Sequence, residues 1–143
     1  LFCCIMMDVD HFKQINDSFG HLVGDSVLKD VAQVARGCMR EMDTVCRYGG
    51  EEFVVLMPGS LLEQAEQAAE RIRRAVSGAV RGPDGQPVTV SLGCSEYEKH
   101  EDALRVLHRA DKALYGAKRA GRNRVWVARR SPVIAGNAGS GGR

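Results

Sequence analysis

The sequence predicts an α+β fold: a ferredoxin-like or palm-type central antiparallel sheet, with a βαββαβ core flanked by helices. Three observations predict it. The chain opens on a continuous apolar run, it carries a Gly-Gly hairpin near its middle, and segments of helical period alternate with strand-like runs. The resulting order is strand, helix, strand-hairpin-strand, helix, strand, helix, strand, whose first part is the βαββαβ pattern. A length of 143 residues with 44% hydrophobic content suits one domain, placed at residues 1–128, with a flexible tail at 129–143.

Residues 1–7 are uniformly apolar, which suits a central strand buried on both faces. Asp8 and Asp10 follow, and strand alternation puts both on one side. Such a pair is a candidate site for a hard cation such as Mg²⁺; the plain alternative is a solvated strand end with turn-forming Asp. Residues 11–23 contain Asn16-Asp17 and Gly20, and read as a loop or short helical turn in which Asn16 closes an Asx-turn. From Asp25 onward Val27, Leu28, Val31, Val34, Ala35, Cys38 and Met39 recur at helical spacing, with Asp25 at or near the N-cap.

The hairpin spans residues 40–57. Thr44-Val45-Cys46-Arg47-Tyr48 and Phe53-Val54-Val55-Leu56-Met57 flank Gly49-Gly50, and Glu51 and Glu52 leave the turn. A primed turn with positive φ at the glycines is expected, and glycine also lets another molecule approach the backbone closely. Taken alone, the stretch also fits a purely structural hairpin.

Ser60 with Glu63 predicts a capping box, followed by an apolar face of Leu62, Ala65, Ala69, Ile72 and Val76. Gly82-Pro83-Asp84-Gly85 is turn chemistry, and Val88, Val90, Leu92 and Cys94 alternate as a half-buried strand. A third helix is expected over residues 101–119 with Leu104, Leu107, Ala110, Leu114 and Ala117 inward and Gly121 at its C-cap. Lys118, Arg119 and Arg122 suit the dipole of that helix end. Val125-Trp126-Val127 makes a short last strand, and residues 131–143, rich in Gly, Ala and Ser, read as the flexible tail.

Composition narrows the function. A formal charge of +2 creates no field that demands nucleic acid, and aromatic residues are not placed along the strands for base stacking. The longest apolar run is too short for a bilayer span and lacks a leader's basic start, so a cytoplasmic chain without membrane contact is expected. The five cysteines contain no Cys-x-x-Cys and the four histidines no zinc spacing, so no transition metal is assigned. Cys3 and Cys4 point to opposite strand faces and read as reduced packing residues.

In the βαββαβ topology the strand after the hairpin lies antiparallel beside the first strand. This brings Asp8 and Asp10 to Glu51 and Glu52. Carboxylates gathered in a folded site repel one another unless cations neutralise them. Mg²⁺ with a nucleoside triphosphate is the natural occupant, because Mg²⁺ takes few protein carboxylates and completes its shell with phosphate and water. Lys118 and Arg122 can meet the outer phosphates, and the residues point to metal-dependent phosphoryl transfer on a palm-like sheet.

Asp8-Val9-Asp10-His11-Phe12-Lys13-Gln14-Ile15-Asn16-Asp17, Gly20-His21, Gly24-Asp25, Gly49-Gly50-Glu51-Glu52-Phe53, Val90-Ser91-Leu92-Gly93, Ala110-Asp111-Lys112-Ala113-Leu114-Tyr115 and Gly121-Arg122-Asn123-Arg124 closely resemble the GGDEF family of diguanylate cyclases. The resemblance covers residues 1–127 and implies condensation of two GTP to cyclic di-GMP with release of pyrophosphate, each monomer of a homodimer holding one GTP. Asp8, the Val9 carbonyl and Glu51 then match the ligands of Mg²⁺, or of Mn²⁺ in its place, and Glu52 supports the metals or the deprotonation of the attacking hydroxyl. Asn16 and Asp25 match the guanine-reading positions, and His11 and Phe12 match positions whose backbone N–H groups touch phosphate. Gly49, Gly50, Lys118 and Arg122 complete the substrate contacts. Arg40-x-x-Asp43, with its spacing to Gly49, matches the product-inhibition site, which Arg71 completes. The family pattern also has a helical lead-in before the first strand and, upstream, a sensory region; the sequence here starts at the strand. Glu51 stands where many members carry Asp. The alternative reading is a non-catalytic module that binds GTP or cyclic di-GMP and relays it to a partner.

Overall fold

A computed structural model describes residues 1–130; the tail expected over 131–143 lies outside the described residues. In chain order the elements are β1 (Phe2–Val9), α1 (Phe12–Phe19), α2 (His21–Gly37), β2 (Thr44–Arg47), β3 (Glu52–Pro58), α3 (Leu62–Ala79), β4 (Val90–Glu96), α4 (Ala103–Arg119) and β5 (Val125–Val127). The sheet order is β2-β3-β1-β4-β5. β1 runs antiparallel to both β3 and β4, β2 is antiparallel to β3, and β5 adds to β4 in parallel. The first four strands are the ferredoxin-like arrangement that the element order predicts.

β1 is central and buried from Cys3 to Val9, and its apolar residues meet cover on both faces. Cys3, Ile5, Met7 and Val9 join the larger core with residues of α2 and α3, whereas Cys4 and Met6 join a smaller core with Val106, Ala110 and Leu114 of α4. The two adjacent cysteines therefore face opposite layers, and burial pushes both thiols up to about 12. They are packing groups.

Several expectations are corrected by the tertiary packing. Residues 11–23, read as a loop or short helical turn, are helical over more than one turn: α1 forms there and is capped by Gly20, whose N–H donates to the Asn16 carbonyl at 2.8 Å. Gly20 holds φ +87° and ψ 165°, a backbone region that is essentially glycine's own, so the chain turns there and α2 starts at His21. Asp25 consequently lies in the second turn of α2 and caps nothing. The N-cap of α3 is Leu61, whose N–H donates to Gln64 Oε1 at 2.8 Å, one residue beyond the expected Ser60. Ser60 is drawn away by Arg40, whose Nη2 donates to the serine hydroxyl at 2.7 Å.

β4 is not half-buried; all seven of its residues are buried, because α4 covers the face that alternation assigns to solvent. Gly93 makes that cover possible. A Cβ there would stand 2.2 Å from both the Ala110 carbonyl and the Leu114 nitrogen, so α4 rests directly on the strand backbone. Its cap is Asp102, which accepts from Arg105 N–H at 2.9 Å, and the buried stripe is Val106, Ala110, Ala113, Leu114 and Ala117. Leu104 is 74% exposed rather than inward, at the open rim of a cavity that it shares with Met6 and Glu52.

Residues 129–130, assigned to the tail, contribute a contact instead. Arg130 pairs with buried Glu96, and the other oxygen of Glu96 accepts the Leu62 N–H that opens α3. Among the described residues no helix is long and apolar enough to cross a membrane.

Candidate active site

The site forms where the C-terminal end of β1 meets the start of β3. Asp8 stands opposite Glu52 in the register, and Val9 N–H donates to the Glu51 carbonyl at 3.3 Å. A cavity of about 300 Å³ opens there, lined by Asp8, Val9, His11, Phe12, Glu51, Lys118 and Arg122, among others. Asp8 is only 4% exposed. One of its oxygens, Oδ2, pairs with the Lys118 ammonium; the other, Oδ1, is buried with no hydrogen-bond partner. Burial raises the pKa of Asp8, Lys118 opposes that rise, and Glu51 and Glu52 add to it. A buried anion with an idle oxygen and two like charges beside it is a seat for a further cation. Among the described residues no three His, Cys, Asp or Glu side chains converge to hold a metal ion, and the hard oxygens at this cavity belong to Asp8, Glu51 and the backbone between Val9 and His11. Such a sparse, hard-oxygen set fits Mg²⁺ or Mn²⁺.

α1 begins at the same cavity. His11 precedes it with φ 55°, a left-handed conformation that costs a non-glycine residue on the order of 1 kcal/mol or more, and no side chain caps the first turn. The free N–H groups of that turn therefore favour an anion. At the far side, α4 ends in a Schellman motif. Arg122 N–H donates to the Ala117 carbonyl at 3.0 Å and Gly121 N–H to that of Lys118 at 3.3 Å. The tight turn brings Arg122 back over the last helical turn, beside Lys118. Both cations line the carboxylate cavity.

The hairpin tip differs from the expected primed turn. Neither Gly49 nor Gly50 has positive φ. Four residues form the loop, Tyr48 and Gly49 N–H both donate to the Glu52 carbonyl at 2.8 and 3.4 Å, and Arg47 Nη2 donates to Gly50 O at 2.7 Å. Backbone conformation does not demand glycine at position 49; a Cβ there would stand 3.2 Å from the Glu52 Oε2 tip. Glu52 itself lines a neighbouring cavity with Leu104, Leu107, His108 and Asp111, so the two glutamates serve different walls.

Asp10 is not free for a cation. It accepts from Thr89 Oγ1 at 2.7 Å, Ser91 Oγ at 2.6 Å and Asn123 N–H at 3.0 Å, and so ties β1 to β4 and to the exit of α4. These three partners of Asp10 carry no sequence signal that would mark them as such. Asn16 and Asp25 stand apart from the carboxylates. Asn16 Oδ1 is buried against Gly24 without a partner, while Asp25 is exposed and lines a larger cavity of about 530 Å³ between α2 and β2.

Arg40 and Asp43 are joined as the spacing suggests. Asp43 is 2% exposed and accepts from Arg40 N–H and Nε through Oδ2, and from Nη2 through Oδ1, at 2.9, 3.2 and 3.0 Å. The aspartate is thus fully engaged by its arginine, whose Nη2 also donates to the Pro58 carbonyl at 3.2 Å and to the Ser60 hydroxyl at 2.7 Å. Arg71 reaches the same end of α2 and donates to the Cys38 carbonyl at 3.1 Å.

Residues 1–124 match the family model described as diguanylate cyclase, GGDEF domain. The chain belongs to this family. Diguanylate cyclase DgcP of Pseudomonas aeruginosa is 49% identical over 125 residues, which are 86% of this chain and 19% of DgcP. The chain thus spans about a fifth of that relative. A solved structure described as the active GGEEF domain of a diguanylate cyclase from Vibrio cholerae superposes with a TM-score of 0.85 at 35% identity, over 91% of this chain and 84% of that one. The GGDEF domain of DgcB from Caulobacter crescentus, solved in complex with c-di-GMP, gives 0.83 at 38% identity, over 89% and 77%. In this GGDEF domain the family's signature reads Gly49-Gly50-Glu51-Glu52-Phe53, the same five residue types named for the Vibrio structure.

Proposed function

We propose that this GGDEF domain is the catalytic part of a diguanylate cyclase, which condenses two GTP into cyclic di-GMP and two pyrophosphates. The observation that carries the reading is the idle, buried Oδ1 of Asp8 in a cavity shared with Glu51, Lys118 and Arg122. A divalent ion, Mg²⁺ or Mn²⁺, held by Asp8, Glu51 and the Val9 carbonyl would offset phosphate charge and favour ionisation of the attacking hydroxyl. The chain's own residues do the rest. The N–H groups of His11 and Phe12 and the side chains of Lys118 and Arg122 hold the triphosphate, with Gly49 and Gly50 leaving room at the hairpin. Asn16 and Asp25 read guanine, since a carboxylate accepts from the N1–H and the exocyclic amine, which adenine does not offer in that arrangement.

Two copies face each other, each with one GTP. Each 3′-oxygen bonds to the α-phosphorus on the opposite copy, the bond from that phosphorus to the bridging oxygen breaks, and pyrophosphate leaves. Glu52 supports removal of the hydroxyl proton. Arg40, Asp43 and Arg71 form a second site that binds cyclic di-GMP and slows the enzyme, the arginine fork meeting base edges and phosphate. The domain works in the cytoplasm at residues 1–128, under an upstream sensory region.

Incubation of the purified chain with GTP and Mg²⁺, with products separated by chromatography, tests the reading. Cyclic di-GMP from the wild type and at least a hundredfold less from Glu51→Gln is the expected result. If a form carrying a helical lead-in and a dimerising fusion binds GTP yet makes no product, the cyclase reading fails and the chain is a nucleotide-binding relay.

A further inference from the structure

We propose that Gly24 is a positioning residue for base selectivity: it seats Asn16 without touching the ligand, and so fixes which purine the site accepts. The inference rests on the guanine-reading role proposed above for Asn16 and Asp25. Gly24 is the fourth residue of α2 and is buried where α2 packs on α1. A Cβ on it would stand 1.9 Å from Asn16 Oδ1, 3.0 Å from Asn16 Cγ and 3.2 Å from Phe12 Cζ. No side chain fits there unless the Asn16 amide leaves. Backbone freedom does not explain the glycine, because its φ is not among the positive ones. Helix propensity argues against it as well, since alanine is the better residue inside a helix. The space is what the position requires.

Asn16 Oδ1 fills that space, buried and without a hydrogen-bond partner. The hydrogen that glycine carries in place of Cβ faces the oxygen, so a weak C–H···O contact is all the seat provides. A side-chain amide has one accepting end and one donating end. With the carbonyl end sunk against Gly24, the NH₂ end is the one left for a ligand. A donor there suits a purine acceptor such as O6 of guanine, where adenine presents an amine. Asp25, the next residue in the chain, is exposed and supplies the acceptor for the neighbouring N–H groups. Gly24-Asp25 thus sets both halves of one recognition edge: the first holds the donor in place and the second accepts. Adenine is mismatched at each.

The test is titration calorimetry of the purified chain with GTP, ATP and inorganic triphosphate, with Ca²⁺ as the divalent ion. Wild type, Gly24→Ala, Asn16→Ala and the double variant are compared. Gly24→Ala is expected to lose about tenfold in the GTP-over-ATP preference, with affinity for inorganic triphosphate unchanged. Asn16→Ala should lose a similar factor, and the double variant no more than Asn16→Ala alone, because Gly24 acts only through Asn16. Should Gly24→Ala fail to fold, the double variant is expected to fold, since the colliding amide is gone. An unchanged preference in Gly24→Ala, additive losses in the double variant, or a double variant as unstable as Gly24→Ala would each overturn the inference. A wild type with no preference for GTP over ATP would instead refute the base-reading role, and this inference with it.

Discussion

Asp8 has one carboxylate oxygen committed to Lys118 and one committed to nothing, and the site's chemistry turns on that asymmetry. The Lys118 ammonium serves as the carboxylate's counter-ion, close to where the proposed divalent ion would sit. Like charges there oppose each other even at a generous effective dielectric. Replacing Lys118 by Met is therefore expected to shift two affinities in opposite directions. Mn²⁺ binding without nucleotide, followed by electron paramagnetic resonance, should tighten several-fold, while GTP binding should weaken by about tenfold as a phosphate contact is lost. Weakening of both would show that Lys118 only maintains the fold around Asp8. At this scale the sequence was legible where a residue type implies its chemistry: Asp8, Glu51, Lys118 and Arg122 do line one cavity. It was not legible for Asp10, whose type and alternation equal those of Asp8 but whose oxygens are taken by Thr89, Ser91 and Asn123.

Single contacts decide where several elements begin and how closely they pack. α4 lies against the β4 backbone over Gly93, so Gly93→Ala should destabilise the domain by roughly 3 kcal/mol, read from urea unfolding, because backbone on both sides cannot give way cheaply. α3 begins at Leu62, whose N–H is held by Glu96 from the far end of β4. Burial alone would raise the pKa of Glu96, but Arg130, the Leu62 N–H and Arg109 outweigh it, and the net shift is downward. Glu101, which Arg109 holds, is lowered for the same balance of reasons. Groups with depressed folded pKa values contribute stability that is complete above the unfolded value of 4.5 and is lost as pH falls through the folded value. The contribution of these two glutamates should therefore hold steady from pH 7 to about 5 and then fall, and Glu96→Gln should be less stable at pH 7 by about 1–2 kcal/mol with a shallower acid decline. An equally steep decline in the variant would assign the acid sensitivity elsewhere.

In the proposed reaction each copy holds one GTP, so the sites of two copies must meet. Specific activity is therefore expected to rise with chain concentration in the dilute range and to become independent of it when two copies are joined by a short coiled coil. A specific activity that is flat across a hundredfold dilution of the unfused chain would show either a permanent dimer or a reaction within one copy; sedimentation of the same samples separates the two.

Sequence period and residue chemistry determined the α+β class, the strand order around β1 and the meeting of Asp8 with the Gly-Gly-Glu-Glu turn. These follow from local pattern plus one topological rule, that the hairpin returns beside the first strand. Tertiary structure alone decided the burial of both faces of β4, the exposure of Leu104, the four-residue loop at Gly49-Gly50, the start of α3 at Leu62 and the seating of Asn16 against Gly24. Each of those depends on atoms from segments far apart in the chain. Alternation says which way a side chain points, whereas only the packed neighbour says what it meets there.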